Sequence, residues 1–228
     1  MKDTASFRRA IAAGGLVATA MLMVVSVIFE PEFPTGAAER LEAIAEGGTG
    51  AAVSAVAFTL AQLPLIAALL AIGRLADEQA PRLSTIGTTL GIIGAFGHSV
   101  YGGVSMVQLS MADDSDNREL YADLLESVES GPAAIFMAMG LLGTVVGILL
   151  LSIALWRARV APRWAAPALW AFLAVEFVGT AFSHWASLVS VILYLAAFSA
   201  LAAEVLRRPR TQWSDTGQAT SAPREVTS

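Results

Sequence analysis

Apolar residues dominate this chain in runs too long for the core helices of a water-soluble domain, and the polar residues between them fall in clusters. Positions 10–29 carry no charge and are long enough to cross about 30 Å of hydrocarbon at 1.5 Å per residue. A cleaved signal peptide is the rival reading, with Gly36 and Ala38 placed like a cleavage site, but the run exceeds the usual length of such a segment. Further spans are expected at 51–72, 83–109 and 132–156; Pro81 opens the third and Pro132 the fourth, where the missing N–H costs no helical hydrogen bond. Some forty mostly apolar residues follow Trp164, too many for one crossing, and the polar pair Ser183 and His184 divides them into spans at 164–182 and 185–206. The pattern therefore predicts an all-α membrane protein, a bundle of six transmembrane helices over residues 1–210, with a disordered cytoplasmic tail at 211–228.

Charge orients the bundle. Basic residues stay on the cytoplasmic side of bacterial inner membranes. Lys2, Arg8, Arg9, Arg74, Arg82, Arg157, Arg159, Arg163, Arg207, Arg208, Arg210 and Arg224 fall on the side of the termini, and only Arg40 and Arg118 on the other. Twelve against two places both termini in the cytoplasm and the protein in the bacterial plasma membrane. The opposite loops are acidic, from Glu30 to Glu46 and from Asp113 to Glu129. Trp156, Trp164 and Trp185 sit near span ends, where amphipathic rings meet the headgroups.

Composition agrees: 56% of residues are hydrophobic and 14% charged, against about 25% charged in soluble domains, and mean hydropathy is +0.65. Cysteine is absent, which removes disulfides, thiolate metal sites and thiol nucleophiles. No GxSxG elbow, HExxH pair, phosphate loop or dinucleotide fingerprint occurs, so no enzyme chemistry or nucleic-acid binding is expected. The acidic stretch from Asp113 fails as a calcium loop, because Arg118 stands where glycine is needed and Leu124 where the bidentate acid belongs. It reads instead as a short surface helix capped by Asp116 or Asn117, with Leu120, Leu124, Leu125 and Val128 as its apolar stripe. A second small acidic helix is expected around Leu41 and Ile44. No metal site is expected.

The chemistry that remains lies inside the spans. Glu176 is too costly to face lipid, and Gly179, Thr180 and Ser183, three, four and seven residues later, share its helical face. His98 lies at a similar depth in span three with Tyr101 one turn on; span two offers Gln62, and span six Ser187, Ser190 and Tyr194. One reading is a buried His98 and Glu176 site for a proton or polar ligand, lined by Gln62, Tyr101, Thr180 and Tyr194, as in a small transporter. The other is that these groups only hydrogen-bond across helices and fix packing, in a scaffold or regulatory subunit. A third makes His98 and His184 axial ligands of haem b, although His184 belongs at a turn and His98 deeper. Gly143 and Gly147 form a close-packing face that suits a homo-oligomer or membrane partner. Pro64 frees the Leu60 carbonyl beside Gln62, a broken-helix feature.

The run from Gly140, Leu141, Leu142 and Gly143 through Ile153, Ala154, Leu155, Trp156 and Arg157, then Val160 to Trp164, resembles uncharacterised actinobacterial multi-span proteins of the domain-of-unknown-function 4386 type. In these a span ends in ALWR and the next begins after PRW. The resemblance covers about a quarter of the chain, and it implies an integral membrane protein without assigning site residues.

Overall fold

The computed structural model describes residues 2–31, 34, 36–183, 185–209 and 213. Seven α-helices account for most of them: α1 Lys2–Ile28, α2 Ala37–Ala76, α3 Pro81–Asp113, α4 Arg118–Ser130, α5 Ala134–Ala158, α6 Ala165–Phe177 and α7 Trp185–Arg207. Single 3₁₀ turns at Ser115–Asn117 and Gly179–Ala181 precede α4 and follow α6. Five helices, α1, α2, α3, α5 and α7, are long and apolar enough to cross a membrane. No strand occurs among the described residues.

Neighbours in sequence are neighbours in space. α1 packs on α2, α2 on α3, α3 on α5, α5 on α6, α6 on α7, and α7 returns to α1, so the six helices close a ring. The tightest seam is between α3 and α5, where Gly87, Gly91, Gly94 and Gly97 oppose Gly140, Gly143 and Gly147. A Cβ on Gly143 would stand 2.6 Å from the Gly94 amide nitrogen, closer than side chains tolerate. The Gly143 and Gly147 face, which the sequence left open to a partner molecule, is thus filled by α3 of the same chain. In lipid no hydrophobic force drives helices together, so packing of small residues must do so.

The surface is correspondingly apolar. On α3 the buried residues are small or polar, among them Ser84, Gly91, Ala95 and Gln108, whereas Ile86, Ile93, Phe96 and Val107 are exposed. Trp156, Trp164 and Trp185 are exposed at helix ends, as an interfacial belt requires.

Three expected elements differ. The fifth span, expected over 164–182, has an α-helix of only 13 residues, about 20 Å long. Val178, Gly179 and Thr180 end it, being respectively β-branched, conformationally free and a competitor for backbone hydrogen bonds, and the Thr180 hydroxyl donates to the Glu176 carbonyl. In α2, Pro64 leaves the helix unbroken; the break lies at Gly48, with φ 49° and ψ −124°, joining the small acidic helix around Leu41 and Ile44 to the span in one element. Glycine alone adopts that conformation without strain. In α4 the inward residues are Ala122 and Leu125, while Leu120 and Leu124 are exposed. Asn117 does stand at its N-cap, yet its side chain does not cap the helix; Asn117 Nδ2 donates to Asp114 Oδ2 at 3.0 Å.

Arginine marks one end of the ring. Arg9 Nη1 donates to the Arg208 carbonyl at 3.2 Å, Arg208 Nη2 to the Val160 carbonyl at 3.0 Å, and Arg74 lies 5.8 Å from the Trp213 ring. The start of α1, the end of α7 and the link from α5 to α6 therefore meet at that end. At the other, Arg40 of α2 pairs with Glu129 of α4 at 2.5 Å.

Candidate functional site

All six helices of the ring line a cavity of about 110 Å³. α1 supplies Thr19 and Met23, α2 Phe58 and Gln62, α3 His98, α5 Thr144 and Ile148, α6 Phe172 and Glu176, and α7 Ser190 and Tyr194. Its floor, toward the arginine-rich end, is aromatic: Tyr194 stacks on Phe198 with centroids 3.9 Å apart and leans on Phe172 at 4.9 Å. Beyond the floor the core contains Leu16, Leu69 and Leu201, all fully buried.

The polar groups around this space are incompletely paired. Gln62 Nε2 donates to the Phe58 carbonyl at 2.9 Å, but among the described residues its buried Oε1 has no partner, and neither has Thr144 Oγ1. Unpaired buried polar atoms cost roughly 1–3 kcal/mol each unless water or a ligand meets them. The cavity has room for a few water molecules at about 30 Å³ apiece. His98 is half-buried, its ring edge-on to Phe58 at 5.5 Å, and neither ring nitrogen has a hydrogen-bonded partner among the described residues.

Glu176 stands in the last turn of α6, and its Oε2 is hydrogen-bonded to Ser190 Oγ. Ser190 Oγ also lies 2.9 Å from the Ser187 carbonyl. A hydroxyl carries one hydrogen, so it cannot donate to both oxygens. Both contacts are satisfied together when a proton on Glu176 Oε2 is donated to Ser190 Oγ and the Ser190 hydrogen goes to Ser187.

Five residues singled out from the sequence, His98, Glu176, Gln62, Ser190 and Tyr194, line this one cavity. Thr180 does not: α6 ends at Phe177, the helical phase that would have carried Thr180 inward is lost, and the residue is exposed. Tyr101 lines a neighbouring cavity of about 140 Å³ toward the acidic end, with Ser26, Glu30, Ser54, Ser105 and Gln108. His184 lies outside the described residues, and the paired-histidine arrangement with it. Among the described residues no group of three or more His, Asp or Glu side chains is placed to hold a metal.

Sequence reasoning missed Thr19, Thr144 and the outer cavity. Thr19 and Ser26 are seven residues apart on one face of α1, and Glu30 follows one turn later, a polar line visible in the sequence once sought. Glu30 is half-buried just past the end of α1; burial, and then the charge of Glu176, push its carboxyl up to about 7.

Comparison with protein-family models, curated proteins and solved structures finds no match for this chain.

Proposed function

We propose that this protein is a six-crossing bacterial inner-membrane protein that binds a proton, or a small polar solute together with one, in its central cavity, with Glu176 carrying the proton and His98 facing it as the second ionisable group. One observation carries the reading: a carboxyl, an imidazole and two unpaired polar atoms line a single space at the centre of the ring. Packing alone would favour closing such groups against one another, as Ser26 and Ser54 do. The Glu176, Ser190 and Ser187 relay, complete when the carboxyl is protonated, supports a proton-bearing role.

The sixth crossing is α6. The end of α5 and the end of α7 meet through Arg208 and Val160, so α6 connects the arginine-rich end to the start of α7 at the other. With its 3₁₀ extension the run Ala165–Ala181 covers about 26 Å, near the hydrocarbon thickness. The arginine-rich end, by the positive-inside rule, faces the cytoplasm. The likeness to the domain-of-unknown-function 4386 type agrees with a multi-span protein and adds no chemistry.

Proteoliposomes containing a trapped pH-sensitive dye test the proposal. After an acid pulse the wild-type protein is expected to acidify the lumen, with Glu176→Gln slowing the flux by roughly 10²-fold and His98→Ala by less. Wild-type flux in both variants would sink the reading.

A further inference from the structure

The two cavities, of about 140 and 110 Å³, have one residue in common, Phe58. Its ring meets His98 edge-on at 5.5 Å on the inner side and Tyr101 edge-on at 6.4 Å on the outer side. His98 and Tyr101 are one turn apart on α3, so a single aromatic ring from α2 lies between a residue of each chamber. Its backbone is held within α2, where its carbonyl also accepts from Gln62 Nε2. Rotation of the side chain, a motion of a few ångströms, is then the available way to join the chambers.

The outer chamber is itself a polar site without a complete set of partners. Gln108 is 2% exposed and its Nε2 has no partner among the described residues. Ser26 and Ser54 bond to one another at 3.3 Å. The Glu30 carboxyl has no hydrogen-bonded partner among the described residues. Among the described residues the ionisable groups around it offer no free cation: Glu176 of α6 repels its charge, Tyr101 of α3 brings only a phenol, and Arg40 of α2 is paired with Glu129 of α4. The charge of Glu176 opposes that of Glu30, so the two carboxyls resist ionising together.

We infer that Phe58 partitions one polar route, and that Glu30 is its outer carboxyl station, passing protons from the acidic end to Glu176. This rests on the proton-binding role proposed for the inner cavity. The transfer balances: hydronium at the mouth gives its proton to the Glu30 carboxylate and leaves as water. When the Phe58 ring swings aside, that proton passes through cavity water to the Glu176 carboxylate, and Glu30 is again an anion. The ring keeps the chambers apart otherwise, which prevents a continuous water wire.

The absence of cysteine makes the partition measurable without assuming transport. In the full chain in lipid vesicles, Thr144→Cys places a thiol in the inner chamber and Ser105→Cys one in the outer. The probe is a membrane-impermeant trimethylammonium methanethiosulfonate added at the acidic end. Ser105→Cys is expected to react rapidly in every background. Thr144→Cys is expected to react slowly with Phe58 present and about tenfold faster or more with Phe58→Ala or the better-packed Phe58→Leu. Equal rates for Thr144→Cys in all three backgrounds overturn the partition, and unaltered Ser105→Cys reactivity shows that the variants remain folded. In the flux assay Glu30→Gln is expected to slow acidification while leaving the Thr144→Cys labelling rate unchanged. If Glu176→Gln abolishes flux and Glu30→Gln does not, the outer station is wrong and the inner site stands. If neither affects flux, the inner site itself has failed.

Discussion

Glu30 follows α1 half-buried and without a cationic partner among the described residues, and its energetics follow from that. Burial, and then the charge of Glu176, push its carboxyl from 4.5 up to about 7. Between those values the folded state holds a proton that the unfolded chain has released, so folding loses stability as pH rises through that window. Glu30→Gln, which cannot ionise, is therefore expected to melt higher than wild type at about pH 8 and to lose that advantage near pH 4.5 and below. Thermal unfolding in detergent at the two pH values checks this; an advantage independent of pH contradicts it. At this scale the sequence was readable wherever a side chain is expensive in hydrocarbon. His98, Gln62 and Glu176 were legible because each must turn from lipid. Thr19 and Thr144 were not, because a threonine hydroxyl can satisfy itself on its own helix and so gives no sign of which way it faces.

Elements depend on small residues more than on large ones. α3 and α5 approach through glycines, and a Cβ on Gly143 would collide with the backbone of Gly94, which cannot swing away as a side chain can. Gly143→Ala should cost about 1–3 kcal/mol by overpacking. Gly103→Ala, at a helical position with nothing within 4 Å, should be neutral or slightly stabilising by up to about 1 kcal/mol through helix propensity. Parallel unfolding of the two variants reads the difference, and an equal effect would remove the seam from the account. Helix existence was legible from apolar run length, but two endings were not. α6 ends early because three unfavourable residues follow Phe177 in succession, and α2 begins early because Gly48 lets two helices join at an angle. Both depend on local backbone geometry, which hydropathy does not register.

The six packed helices form a ring whose ends differ in charge, and the start of α1 and the end of α7 share one end through Arg9 and Arg208. Reporters fused at either terminus are therefore expected on the same, cytoplasmic side of the membrane. Asp123→Cys in α4 is expected to label from the opposite side; labelling of both from one side would break the topology. From the sequence alone came the membrane environment, the helical class, the charge asymmetry and the polar residues that lipid excludes, because each follows from the transfer cost of side chains one at a time. The tertiary structure decided which of those residues meet. It gathered His98, Gln62, Glu176 and Tyr194 around one cavity, set Tyr101 and Glu30 in another, and turned Thr180 outward. The reason is physical: which face of each helix turns inward depends on how glycines, bends and helix ends seat it against its neighbours, and that is fixed only when the ring closes.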